Sequence, residues 1–266
     1  MSVGLIIEKC RADNRAALIG YLPVGFPSVE GSITAMKVLV ESGVDIIEIG
    51  VPYSDPVMDG PVIQDAAVRA LARGVRLSDI FTAAREVSGA GAGALVMTYW
   101  NPVLRYGVER FATDLAAAGG AGLITPDLIP DEAGEWIAAA DAHDLDKVFL
   151  VAPSSTPERL AAVTSQCRGF VYATAVMGVT GARASVGEAA DALVSRTREH
   201  TDLPVCVGLG VSTGDQAAEV GRYADGVIVG SALVRCLTEA DSEEQGLEAL
   251  GALARELADG VRRGRS

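Results

Sequence analysis

The sequence predicts an α/β fold, a (β/α)8 TIM barrel with extra N-terminal and connecting helices, and three observations predict it. Eight short apolar runs rich in β-branched residues alternate with amphipathic stretches along 266 residues. Strands alternating with helices argue for a parallel sheet, and eight such units in this length match the barrel. No GxGxxG opens a helix and no Walker sequence is present, which argues against a doubly wound nucleotide-binding sheet. No linker or low-complexity break interrupts the alternation, so the chain 1–266 reads as a single (β/α)8 barrel domain.

Residues 4–13 predict a short amphipathic lead helix. ALIGYL (17–22) is the first strand, and Ser28 caps a helix running to about Ser42. The second strand lies in VDIIEIGVPYSDPVMDGPVIQD (44–65), with Pro61 in the first turn of its helix. An additional helix follows near 78–88. GALVMTY (93–99) is the third strand, with a helix at 107–118, and AGLITP (121–126) is the fourth, with a helix at 131–142 capped by Asp131. KVFLVA (147–152) is the fifth, followed by a helix from Thr156, and GFVYATA (169–175) is the sixth, followed by a Gly-rich loop and a helix near 187–199. LPVCVGLG (203–210) is the seventh, with a helix capped by Ser212. DGVIVGSAL (225–233) is the eighth, running into a helix, and a last helix covers about 243–262.

Composition bounds the function. A net charge of −13 and a pI near 4.6 argue against nucleic acid or an anionic membrane surface as partner. No window approaches the roughly 18 apolar residues of a membrane span, and MSVGLIIEKCRADN carries too short an apolar run for a signal peptide. Cys10, Cys167, Cys206 and Cys236 are scattered without metal or redox spacing. Four free thiols and a cytoplasmic location are expected. His143 and His200 lie in polar, helical segments and suggest neither a metal ligand nor a catalytic base.

In a barrel the active site lies at the C-terminal ends of the strands. The second strand puts Ile46, Glu48 and Gly50 on one face and Ile47, Ile49 and Val51 on the other. A carboxylate in an apolar strand must be neutral, paired or used. Glu48 and Asp59, in the loop beyond, read either as an acid/base pair or as a satisfied core carboxylate and a turn former. Glycines admit close approach of backbone N–H groups to an anion, and a helix N-terminus adds a favourable dipole. Gly210 and Gly230–Ser231 therefore suggest a phosphate site between the last two loops, with Gly178 and Gly181 as further donors. Val176–Ser185 reads as a lid hinged on its glycines.

IEIGVPYSDPVMDGPVIQ closely resembles the signature of the tryptophan synthase alpha family. The resemblance continues collinearly through MTYWNPVLRYG (97–107), PDLIPDEA (126–133), YATAVMGVTGAR (172–183), VGLGVS (207–212) and GVIVGSALV (226–234). It implies retro-aldol cleavage of indole-3-glycerol phosphate to indole and glyceraldehyde 3-phosphate, in the final stage of L-tryptophan biosynthesis. It implies no cofactor on this chain, and a beta subunit that carries pyridoxal phosphate, receives the indole and forms an alpha2-beta2 heterotetramer. Glu48 and Asp59 match the catalytic carboxylates and Tyr172 the tyrosine beside the substrate. Gly181, Gly208, Gly210, Gly230 and Ser231 match the phosphate site, while Tyr21 and Leu209 flank the indole. Thr180 is expected to hydrogen-bond Asp59 on lid closure. Pro52, Asn101 and Pro130 lie in loops that face the partner in this family. The chain departs from the family pattern in YLPVGFP (21–27), which lacks a threonine and an aspartate common there, and at Ala175, where a serine is common. A stand-alone lyase releasing free indole, and a weakly catalytic activator of a beta subunit, are the alternative functions.

Overall fold

The computed structural model describes residues 2–174, 183–208 and 210–265. The helix α1 (Val3–Ala12) comes first, its N-terminus capped by Ser2, whose Oγ accepts from the Gly4 N–H. Val3, Ile7 and Cys10 recur at helical spacing and bury one stripe. The chain then alternates: β1 (Ala17–Pro23), α2 (Val29–Glu41), β2 (Ile46–Gly50), α3 (Pro61–Ala72), α4 (Asp79–Gly89), β3 (Gly93–Met97), α5 (Trp100–Tyr106), α6 (Val108–Ala117), β4 (Gly122–Ile124) and α7 (Gly134–Ala142). After these come β5 (Asp146–Val148), β6 (Leu150–Val151), α8 (Pro157–Gln166), β7 (Val171–Thr174), α9 (Arg183–Arg198), β8 (Val205–Gly208), α10 (Gly214–Gly221), β9 (Gly226–Val229), α11 (Ser231–Thr238) and α12 (Glu243–Arg263).

All pairings between these strands are parallel, in the order β5-β4-β3-β2-β1-β9-β8-β7-β6. The predicted fifth strand is split. β5 pairs with β4, β6 pairs with β7, and Phe149 joins the halves, so one interrupted strand closes the barrel.

The period of two sorts the side chains. Ile19, Ile46, Leu95, Val148, Phe170, Cys206 and Ile228 form the inner core, and Val3, Ile7 and Cys10 of α1 plug it from below. Ile47, Ile49, Val96 and Val207 face the helices instead. Two residues further along each strand, on the inward face, stand Tyr21, Glu48, Met97, Tyr172, Gly208 and Gly230. This upper ring lies toward the C-terminal ends of the strands.

Four expectations need correction. The third strand ends at Met97 rather than at residue 99, because the chain turns at Thr98–Tyr99 into a helix, α5, that the sequence reading did not foresee. Asp131 caps no helix. It sits in a 3-10 turn, Pro130–Glu132, and its carboxylate pairs with Arg159 at 2.6 Å. The cap of α10 is Thr213, which accepts from the Gln216 N–H, while Ser212 binds the Gln216 side chain. Finally, α9 begins at Arg183, so the last residues assigned to the lid are helical.

Candidate active site

The five residues of β2 are buried, and Glu48 lies on the inward face, opposite Tyr21 of β1 and Leu95 of β3 in register. It is 1% exposed, and among the described residues nothing hydrogen-bonds its Oε1. Burial alone drives the carboxyl from 4.5 up to about 8. Near neutral pH the protonated, neutral form is therefore favoured.

Two tyrosines flank it. The ring of Tyr21 lies against Gly50: a Cβ there would collide with the Tyr21 hydroxyl. Tyr172 lies the same way against Gly208, whose Cβ would come within 2.6 Å of its hydroxyl. Each ring thus needs a glycine on the neighbouring strand, and the visible role of Gly208 is to admit Tyr172. Burial, then the charges of Asp59 and Glu48, raise the Tyr21 phenol; burial, then Glu48, raise that of Tyr172. Both phenols stay neutral.

Asp59 belongs to the loop between β2 and α3 and lines a small cleft with Tyr21, Val51, Met97, Thr98, Tyr99 and Pro126. Burial raises its carboxyl, and the neighbouring Tyr99 hydroxyl, on the same cleft, works against that. The Gln64 amide donates to the Asp59 carbonyl at 2.7 Å. Pro61 opens α3 directly after Gly60, as the sequence predicts.

Opposite, α11 starts at Ser231 with Gly230 as an N-cap that has no side-chain hydrogen bond. A Cβ on Gly230 would meet Tyr21 at an ordinary 3.6 Å, so packing does not force glycine there. What glycine provides is room beside Tyr21 at the positive end of a helix. Gly210 has φ +70°, a left-handed conformation that glycine adopts freely. The structure thus brings Glu48, Asp59, Tyr21, Tyr172, Gly208 and Gly230 to one end of the barrel. Thr180, Gly181 and Leu209 lie outside the described residues, as does Val176–Ala182 of the expected lid.

Tyr99 is the residue the sequence reading missed, although MTYWNP placed it just past a strand end, where barrel sites gather. Trp136 is fully buried packing, and Asp127 accepts from the Trp100 N–H at 2.9 Å. Among the described residues no group of three or more His, Cys, Asp or Glu side chains could hold a metal ion, and no helix is long and apolar enough to cross a membrane.

The fold and the site define a (β/α)8-barrel enzyme whose two acidic groups sit at the strand ends without a cationic partner among the described contacts. The family model for the tryptophan synthase alpha chain matches residues 7–262. Tryptophan synthase alpha chains from Mycobacteroides abscessus and Mycobacterium avium are 63% and 64% identical, covering 97% and 98% of this chain and 96% and 94% of theirs. A structure of Mycobacterium tuberculosis tryptophan synthase superposes with a TM-score of 0.91 at 62% identity, covering 98% of each chain. The tryptophan synthase subunit alpha from Legionella pneumophila does so at 0.89 and 32%, again over 98% of each chain. The chain belongs to the tryptophan synthase alpha chain family, lyases that cleave a carbon–carbon bond of indole-3-glycerol phosphate to give indole and glyceraldehyde 3-phosphate.

Proposed function

We propose that Glu48 is the proton shuttle of this cleavage and Asp59 the group that steadies the indole nitrogen. The observation that carries the reading is the Glu48 carboxyl, dry and, among the described residues, with an unpartnered oxygen on the inward face of β2. Breaking the bond between indole carbon 3 and the side chain requires carbon 3 to gain a proton and the adjacent hydroxyl to lose one. Neutral Glu48 gives its proton to carbon 3, and the resulting carboxylate takes the hydroxyl proton as the aldehyde forms. Positive charge developing on the ring nitrogen is stabilised by an ionised Asp59, which can only accept hydrogen bonds. Tyr21, Tyr172 and Leu209 flank the indole. Gly181, Gly208, Gly210, Gly230 and Ser231 take the phosphate, whose binding energy holds the reacting bond in place. Thr180 closes over Asp59. The chain 1–266 acts as one domain, in the cytoplasm, without a cofactor of its own.

A beta subunit carrying pyridoxal phosphate is the proposed partner, in an alpha2-beta2 heterotetramer. The loops after β2, β3 and β4 carry exposed apolar side chains at the catalytic end: Val57 at 79%, Met58 at 50%, Leu104 on α5 at 53% and Ile129 at 44%. Asn101 is exposed and Pro130 half-buried in the same loops, while Pro52 is buried. Such a patch on a soluble barrel fits a protein interface.

The test is indole release from indole-3-glycerol phosphate by the parent chain and by Glu48→Gln, with and without a beta subunit. The variant is expected to lose about 10²–10⁴-fold in turnover, the usual contribution of a positioned acid/base, with KM little changed. Parent turnover should rise with the partner. Substantial turnover by the variant overturns the shuttle, and equal parent rates with and without the partner favour a stand-alone lyase.

A further inference from the structure

We infer that Tyr99 is a positioning residue for this reaction, tying the β2–α3 loop to the end of β3 and aiming the Asp59 carboxylate at the ring nitrogen of the substrate. The inference rests on the reading of Asp59 given above. The Tyr99 hydroxyl accepts two backbone N–H bonds, from Val57 at 3.0 Å and Met58 at 2.9 Å. A phenol oxygen has two acceptor positions and one proton. With both acceptor positions filled, the proton is what it has left to give, and the inferred acceptor is Asp59, the next residue in the loop, whose side chain lines the same small cleft as Tyr99. One hydroxyl thus orders three consecutive residues and ends on the functional one.

The rest of the surroundings point the same way. The Tyr99 ring stacks on Tyr53 of the same loop, with centroids 5.3 Å apart, and the Tyr53 hydroxyl accepts from the Asn101 amide at 3.2 Å. The chain carrying Tyr99 is itself held: Asp127, beyond β4, accepts from the Trp100 N–H. Gln64 fixes the Asp59 backbone from the other side, which leaves the carboxylate's direction to Tyr99. The titratable groups facing Asp59 are Tyr99 from the end of β3 and Tyr21 from β1, with Glu48 next to Tyr21. Of these, Tyr99 favours the ionised form of Asp59 against its burial. Without that donor the carboxyl titrates at higher pH, and less of it is ionised at any pH on the acid side.

The experiment measures pH profiles of indole release for the parent, Tyr99→Phe, Asp59→Asn, the double variant and Tyr53→Phe. Tyr99→Phe keeps the ring and its packing. It is expected to lower kcat by about 10- to 100-fold, the loss typical of a hydrogen bond to a charged group, with KM little changed. Its acid limb should move to higher pH, and it should cost nothing further in the Asp59→Asn background. Tyr53→Phe loosens the same loop without touching Asp59 and should leave the acid limb in place. A Tyr99→Phe enzyme with parental rates and an unmoved acid limb overturns the inference, as does an additive loss in the double variant. An equal shift of the limb in Tyr53→Phe overturns it too, because loop order alone then suffices. Parental turnover by Asp59→Asn overturns the underlying reading of Asp59 instead.

Discussion

Asp225 and Glu48 are nearly equally dry carboxylic acids at opposite ends of the same barrel, and their surroundings drive them in opposite directions. Asp225 immediately precedes β9, at the N-terminal end, and is 2% exposed. Burial would raise its carboxyl, but the Val205 N–H and the guanidinium groups of Arg198 and Arg265 outweigh it and hold the group below its usual range. Arg11 approaches it as well, at 3.5 Å. Glu48, 1% exposed, faces the same desolvation with no compensating cation among the described residues and rises to about 8. Asp225 ties α1, α9, the start of β8 and the C-terminal tail together. Among the described residues no hydrogen bond ties Glu48 down, and burial favours its protonated form. In a barrel the N-terminal face serves stability and the C-terminal face chemistry. Here that division can be read in which buried acid has been given its partners.

The largest effect on folding should come from breaking the partnered end. Asp225→Ala leaves Arg198 and Arg265 facing each other with no anion and strips the Val205 N–H of its acceptor. Breaking a buried pair on one side costs about 3–5 kcal/mol, and the partly exposed guanidinium groups of Arg198 and Arg265 put this loss at the lower end. Urea unfolding should show that loss, while turnover per folded molecule stays near the parent's. A stable variant with poor turnover would contradict the division between the two ends.

An effect of comparable size, opposite in sign, is expected at the other end. The folded-state value for Glu48, about 8, lies above the 4.5 of the free group. Between those values the native state holds a proton the unfolded chain gives up, so stability is full below about pH 4.5 and falls as pH rises through 8. The slope is at most about 1.4 kcal/mol per pH unit. Glu48→Gln cannot ionise. Its unfolding free energy should therefore lose less than the parent's between pH 5 and 9, in spite of its loss of activity. Parallel curves would mean that Glu48 is already charged in the native state. Asp225 has the reverse dependence: its contribution is present above 3.8 and is lost as pH falls through its lowered native value.

How legible these features were depended on how local their causes are. The strand–helix alternation and the Glu48 face follow from residue periodicity within single segments, so the barrel and its inward carboxylate could be read directly. The plug formed by α1 could not: that Val3, Ile7 and Cys10 close the barrel depends on strands far along the chain. Tyr99 escaped for a related reason, since its partners, Val57, Met58 and Asp59, lie some forty residues earlier and meet it only through parallel pairing of β2 with β3. The split at Phe149 reflects closure of the sheet, a property of all the strands together. The helix caps were misjudged on finer grounds. Ser212 and Thr213 are adjacent hydroxyl residues before the same helix, and side-chain chemistry alone does not choose between them.

That choice supplies the smallest prediction, and it sharpens the comparison because it concerns a side chain at the catalytic end that serves folding alone. The Thr213 hydroxyl accepts from the Gln216 N–H at 3.3 Å, one of the orphan donors that open α10. Thr213→Ala removes that acceptor and should cost about 1 kcal/mol in unfolding free energy, the usual value of an N-cap. Ser212→Ala should cost less. The Ser212 N–H keeps its bond to the Gln216 Oε1 at 2.8 Å, and the hydroxyl contact to the same oxygen is exposed. Neither change touches Glu48, Asp59 or Tyr99, so kcat should stay near the parental value in both. If Ser212→Ala proved the more destabilising, the cap would be one residue earlier than the structure has it. If Thr213→Ala instead lowered kcat, the start of α10 would be part of the chemistry, and the separation of fold-holding from working side chains would fail at the catalytic end.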